Sequence, residues 1–312
     1  MIDWKGVYPA ITTKFTSDDK LDLQAFQSNL RIQMEAGVHG IILGGSLGEA
    51  STLTHCEKQQ LIKSTLEVVE GKIPVVLTIA EQSTKEALEV VNSAQASGVE
   101  GFMVLPPMRY KADDSETVAF FKKIAESTDL PIMIYNNPVD YKILVTLDMF
   151  GELEEHKNIE AVKESTRDLS NITKMINRFG DRFKILCGVD PLAYESLALG
   201  VDGWVAGLVC AFPHETVAIY DLMKEGRFEE ALKIYRWFFP LLELDIHPKL
   251  VQYIKLAEVA AGLGTENVRA PRLPLVGEER ERVLEVIHKS LASRPTLASL
   301  KQGANLVQTV IS

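Results

Sequence analysis

The sequence predicts a (β/α)8 barrel followed by a C-terminal helical extension, and three observations carry that prediction. Eight short apolar runs recur, continuous rather than alternating, as strands buried on both faces of a parallel sheet require. Amphipathic helical patterns lie between them, and the runs start roughly 20–35 residues apart, the spacing of consecutive βα units. A Gly-Val-X-Gly junction followed by an apolar run occurs three times, at 37–40, 98–101 and 200–203. Its first Gly suits a helix C′ position needing φ > 0, and its second sits where the chain enters the next strand.

In chain order the predicted strands are "GVYPAITTKF" (6–15), "GIILGGSLGE" (40–49), "PVVLTIA" (74–80) and "GFMVLPP" (101–107). They continue with "PIMIYNN" (131–137), "IEAVKES" (159–165), "FKILCGV" (183–189) and "GWVAGLV" (203–209). Helical patterns such as "LDLQAFQSNLRIQMEAG" and "TKEALEVVNSAQASG" separate them. After residue 210 the strand pattern stops. "HETVAIYDLMKEGRFEEALKIYRWFFPLLELDI", "PKLVQYIKLAEVAAGLG" and "EERERVLEVIHKSLAS" read as the eighth barrel helix plus the extension. The expected division is a barrel over 1–225, a helical extension of the same domain over 226–293, and a weakly patterned tail over 294–312. A doubly wound sheet fits less well, because its Gly-rich dinucleotide fingerprint is missing after the first strand.

Composition narrows the function. The chain has 312 residues, is 46% hydrophobic and carries a formal net charge of −10, which argues against nucleic acid and anionic membrane surfaces as partners. "MIDWKGVYPA" lacks the basic segment and apolar run of a signal peptide, and no apolar stretch approaches a membrane span. Cys56, Cys187 and Cys210 are odd in number with no CxxC spacing, so a reducing cytoplasm is the expected compartment.

In such barrels the chemistry lies at the carboxyl ends of the strands. The second strand ends in Gly45-Ser46-Leu47-Gly48-Glu49 and the fifth in Tyr135-Asn136-Asn137-Pro138. The sixth ends at Lys163, the seventh at Gly188 and Asp190, and the eighth runs through Val205 and Gly207. Lys163 could be a solvated cation paired with Glu164 or Asp168. Partly desolvated in a barrel, it would instead be a neutral amine able to form a Schiff base with a substrate carbonyl or imine. Tyr135 on the adjacent strand could relay protons. The Gly-rich turn could aim backbone N–H groups and the Ser46 hydroxyl at a carboxylate, though alone it is only a tight turn.

These motifs, in this order and spacing, resemble the dihydrodipicolinate synthase / N-acetylneuraminate lyase family: "GSLGE", "YNNP", "AVKEST" and "CGVD". The similarity runs from "GVYPAITTKF" to the C-terminal helices. The resemblance implies a (β/α)8 barrel that is usually a homotetramer, with no metal or organic cofactor and a small 2-oxo or imino acid as substrate. It implies Lys163 as the Schiff-base lysine and Tyr135 as the proton shuttle. Ser46 and the Leu47 backbone would bind the substrate carboxylate, with Asn137, Gly188 and Val205 completing the pocket.

Three departures bear on the substrate. The synthase usually has two threonines where Ser46 and Leu47 stand, so its Thr–Tyr relay cannot be completed through Leu47. "PPMRY" replaces its tyrosine pair after strand four, and Val139-Asp140-Tyr141 replaces an arginine that would hold aspartate semialdehyde. "GSLGE", "YNNPVDY" and "YRWFFPLLELD" together are similar to the subgroup that deaminates 1-pyrroline-4-hydroxy-2-carboxylate to 2-oxoglutarate semialdehyde and ammonia. A pyruvate-dependent aldolase, a 4-hydroxy-tetrahydrodipicolinate synthase and a non-catalytic acid-binding barrel are the alternatives. A metal-dependent aldolase lacks a converging His pattern, and a Ser hydrolase lacks its G-x-S-x-G elbow.

Overall fold

The computed structural model describes residues 2–297. All eight predicted strands form: β1 (Gly6–Pro9), β2 (Ile41–Leu43), β3 (Val75–Ile79), β4 (Gly101–Val104), β5 (Ile132–Asn136), β6 (Ile159–Glu164), β7 (Lys184–Cys187) and β8 (Gly203–Ala206). Every paired neighbour is parallel, in the order β1-β8-β7-β6-β5-β4-β3-β2, so the sheet curls into a (β/α)8 barrel. The helices are α1 (Leu23–Ala36), α2 (His55–Val69), α3 (Thr84–Ala96), α4 (Asp114–Ala125), α5 (Pro138–Tyr141) and α6 (Leu147–Leu153). They continue with α7 (Ser170–Phe179), α8 (Ala193–Ala198), α9 (Pro213–Lys224), α10 (Phe228–Leu242), α11 (Leu250–Ala260) and α12 (Gly277–Ala292). The stretch over 214–246 divides into α9 and α10 at Gly226, whose φ of +74° suits glycine.

Two apolar layers follow from the period of two along each strand. Tyr8, Ile42, Val76, Met103, Met133, Ala161, Leu186 and Val205 fill the barrel interior, while Val7, Ile41, Val75, Phe102, Ile134, Val162, Ile185 and Trp204 meet the helices. The repeated junction works as expected at its first glycine: Gly37, Gly98 and Gly200 all have positive φ. Its second glycine permits close approach. A Cβ on Gly203 would lie 2.5 Å from the Gly6 carbonyl oxygen, and one on Gly101 would lie 2.7 Å from Ile2.

The seam between β1 and β2 is sparse. Gly6 and Ala10 donate to the β8 side, at Asp202 and Ala206, so Val7, Pro9 and Ile11 face β2. Pro9 has no N–H to give, which removes one ladder bond. The His39 ring fills in at one end, its Nδ1 accepting from the Val7 N–H at 3.1 Å. At the other end Ile11 N–H donates to Ile42 at 3.0 Å, beside the isolated bridge Ala10↔Ile42.

The extension is fastened to the barrel by buried ions. Glu258 of α11 pairs with Lys14 and accepts from Thr12, and Lys255 pairs with Glu49 of the Gly-rich turn. All four charged side chains are wholly buried. The tail expected from Arg294 lies outside the described residues beyond its first four, where Arg294 pairs with Glu215.

Candidate active site at the carboxyl end of the barrel

Lys163 owes its direction to an irregularity in β6. The β5–β6 register shifts between Ile132 and Met133: Ile132 pairs with Ile159, but Met133 pairs with Ala161, leaving Glu160 over. Ile159 packs outward against the helices, yet Ala161 faces the interior. A regular strand would have put both on one face. The extra residue therefore turns Lys163 into the barrel, the re-aiming that bulges beside functional sites perform.

There Lys163 pairs in register with Tyr135, and its Nζ sits 4.0 Å from the centre of the Tyr135 ring. Burial pushes its ammonium below the ordinary lysine value, against the pull of Asp245, Tyr141 and Asp190 toward the charged form. Glu164 faces the other way, accepting from Thr166 N–H at 2.8 Å and Asn171 at 2.7 Å. Asp168 binds Ser170 and Lys174. Neither pairs with Lys163, so the solvated ion pair is not formed.

Asn137 organises the end of β5. Its Oδ1 caps α5 by accepting from Asp140 N–H at 3.2 Å, and its Nδ2 donates to Asp140 at 2.7 Å and to the Tyr135 hydroxyl at 3.2 Å. The cap holds Tyr141 edge-on to Tyr135, ring centres 5.5 Å apart, with the Tyr141 hydroxyl hydrogen-bonded to Ser46 Oγ. Burial raises both phenols above the ordinary tyrosine value. Ser46, Tyr141, Tyr135 and Lys163 thus form one cluster of proton-carrying groups.

The Gly-rich turn is pinned from behind. Glu49, at φ +57°, binds Lys255 and the Arg269 N–H, and Thr13 donates to the Gly48 carbonyl at 2.6 Å. The Ser46 and Leu47 N–H groups make no backbone hydrogen bond among the described residues. Two donors and a hydroxyl are therefore available to a carboxylate.

The opposite wall is acidic. Gly188 leaves room for Lys163: a Cβ there would lie 2.5 Å from Lys163 Cγ and 2.7 Å from its Cε. Asp190 accepts from Trp204 Nε1 at 2.9 Å, Leu208 N–H at 2.7 Å and Gly207 N–H at 3.1 Å. Asp245, between α10 and α11, reaches over Gly207, where any Cβ would overlap its Oδ1. Burial pushes its carboxyl well above the usual range, neighbouring Asp190 adds to this, and Lys163 opposes it.

All seven expected residues, Ser46, Leu47, Tyr135, Asn137, Lys163, Gly188 and Val205, line this one cleft, joined by Ala10, Met103, Asp140, Arg167, Gly207 and Asp245. Tyr141 and Asp245 were not singled out as site residues. Tyr141 stands three residues past Pro138, where the short cap-driven α5 is invisible to periodicity. Asp245 lies in the extension, about 80 residues beyond Lys163, and no local pattern marks its approach.

The chain matches the model of the dihydrodipicolinate synthetase family over residues 3–290. A 4-hydroxy-tetrahydrodipicolinate synthase of Methanococcus maripaludis is 32% identical over 285 residues, covering 91% of this chain and 98% of the relative. One from Exiguobacterium sibiricum is 30% identical over 276 residues, covering 88% and 92%. Among solved structures, a dihydrodipicolinate synthase of Bacillus anthracis superposes with a TM-score of 0.88 at 28% identity, over 92% of this chain and 99% of that one.

Proposed function

This chain belongs to the dihydrodipicolinate synthetase family, and on that premise we propose that it is a lysine Schiff-base lyase deaminating 1-pyrroline-4-hydroxy-2-carboxylate. The observation that carries the reading is the charge of the cleft: a carboxylate-accepting turn on one wall, Asp140 and Asp245 on the other side, and Arg167 exposed at the rim. A substrate with one carboxylate and a distal hydroxyl suits it. A second carboxylate, as aspartate semialdehyde would bring, meets Asp140 in the segment where the synthase offers an arginine, with Arg167 only at the rim.

Lys163 as the neutral amine adds to C2, and the ring nitrogen leaves C2 as a primary amine on C5. The resulting iminium draws electrons from C3, whose proton passes to the Tyr135–Tyr141–Ser46 cluster. The enamine then expels the C4 hydroxyl as water. Proton shifts move the unsaturation to the C5–N bond, and hydrolysis of the two imines frees ammonia, 2-oxoglutarate semialdehyde and Lys163. One water leaves and two enter, so each turnover consumes one water and releases one ammonia.

The names of the curated relatives favour a second reading, condensation of pyruvate with aspartate semialdehyde by a 4-hydroxy-tetrahydrodipicolinate synthase. One experiment separates them. Purified enzyme given hydroxypyrroline carboxylate is expected to release stoichiometric ammonia, and given pyruvate with aspartate semialdehyde to make little cyclised product. Brisk condensation without deamination would overturn the deaminase reading. As family membership suggests, the working form is proposed to be a homotetramer.

A further inference from the structure

We propose that Asp245, delivered by the helical extension, is the acid that protonates the substrate's C4 oxygen as it leaves. This deepens the deaminase reading and rests on it. Expelling hydroxide from an enamine is slow, and a carboxylic acid aimed at the departing oxygen removes that obstacle. Two carboxyls line the cleft, Asp140 and Asp245, and Asp190 is buried behind it; their surroundings give the three different duties.

Asp190 is already engaged: three separate N–H donors bind it and oppose the upward push that burial gives its carboxyl. Asp140 is exposed at the mouth and tied to the Asn137 amide. Asp245 is partly buried and lines the cleft, and among the described residues the Asp190 N–H is the donor drawn to it. Two carboxyls this close, Asp190 and Asp245, cannot easily both ionise, and the one with fewer donors keeps the proton. Asp140 adds a like charge from α5, and Lys163 provides the opposing positive one.

The step balances. The enamine lone pair re-forms the iminium, the C3=C4 bond forms as C4–O breaks, and the leaving oxygen takes the Asp245 proton to become water. Asp245 is left as a carboxylate beside Lys163, where the iminium charge attracts it. Gly207 gives it space, since any larger residue would push its carboxyl aside.

The test is Asp245→Asn, which preserves size but has no acidic proton, assayed on two substrates. With the 4-hydroxy substrate, ammonia release is expected to fall by about 10²–10⁴, while a borohydride-trapped pyruvate adduct on Lys163 still forms. With 4-chloro-1-pyrroline-2-carboxylate, whose chloride leaves without a proton, the variant is expected to turn over within tenfold of wild type. Deamination of the hydroxy substrate at near wild-type rate by Asp245→Asn would overturn the assignment. So would equal losses on both substrates, which would mark a structural role. Wild-type enzyme inert toward the hydroxy substrate but competent in adduct formation would instead overturn the deaminase reading, and this inference with it.

Discussion

Lys163 and Gly188 are a single design seen from two sides. The ammonium is buried, and the carboxyls near it soften but do not cancel the desolvation that lowers its pKa. The sign matters for the chemistry: a lowered pKa leaves more neutral amine at a given pH. The rate of borohydride-trapped adduct is therefore expected to rise with pH and level off below the pH at which a free lysine would half-titrate. A half-point at or above that of free lysine would contradict the buried environment. Gly188→Ala should displace Lys163, because the added methyl has no free space beside Cγ and Cε. Adduct formation is expected to fall at least tenfold in that variant, with the chain still folded by circular dichroism. Lys163→Met is expected to abolish the adduct altogether yet keep the melting temperature within a few degrees, since it removes a cation that burial disfavours. The sequence made these residues legible because barrel chemistry sits at strand ends. It did not reveal how Lys163 comes to face inward, since Ile159, Ala161 and Lys163 alternate as if on one face.

That direction is settled at the scale of the element. Glu160 is the surplus residue in β6, and its carboxylate accepts from Trp4 Nε1 at 2.8 Å at the barrel floor. Deleting Glu160 would restore regular pairing and leave Lys163 inward, in register with Tyr135; regular pairing with Glu160 retained would instead turn Lys163 to Ile159's outward face. The Glu160 deletion and Glu160→Ala are therefore both expected to retain adduct, whereas an alanine inserted between Val162 and Lys163, which turns Lys163 outward, is expected to trap none. Strand existence was legible from apolar runs, but a bulge changes no apolar residue and leaves no trace in a pattern of types. The extension was likewise legible as helices and opaque as a partner of the site. Its attachment depends on pairings over 200 residues apart in sequence. Lys14→Met would leave Glu258 charged and unpaired in the interior, and is expected to lower unfolding free energy by about 3–5 kcal/mol in urea titration. A loss under 1 kcal/mol would show that the ion pair contributes little.

For the whole molecule, the barrel was read from the repetition of its units, the most robust signal a sequence offers. How those units meet one another was not. A homotetramer is expected by light scattering at micromolar concentration, and a monomer there would count against the proposed assembly. The closure of the ring depends on details that repetition hides, with Pro9 and His39 placed at the one junction lacking a full ladder.

A ring closed on seven sides and clasped on the eighth has a built-in place to open. The clasp at its lower end is an imidazole serving as an acceptor, which only the neutral ring can do. Burial lowers the His39 pKa, with Asp221 opposing, so the folded chain resists taking up that proton. The unfolded chain does not resist, and it binds a proton as pH drops through the ordinary histidine range. The stability from this contact is thus present above that range and drains away in mild acid. Amide hydrogen exchange would locate the effect. Protection of the Val7 amide is expected to fall between neutral and mildly acidic solution, while that of Val76, deep in the β3 ladder, holds. Opening at that seam would loosen the strand whose neighbour carries the Gly-rich turn, so acidity felt at the floor of the barrel would reach its mouth.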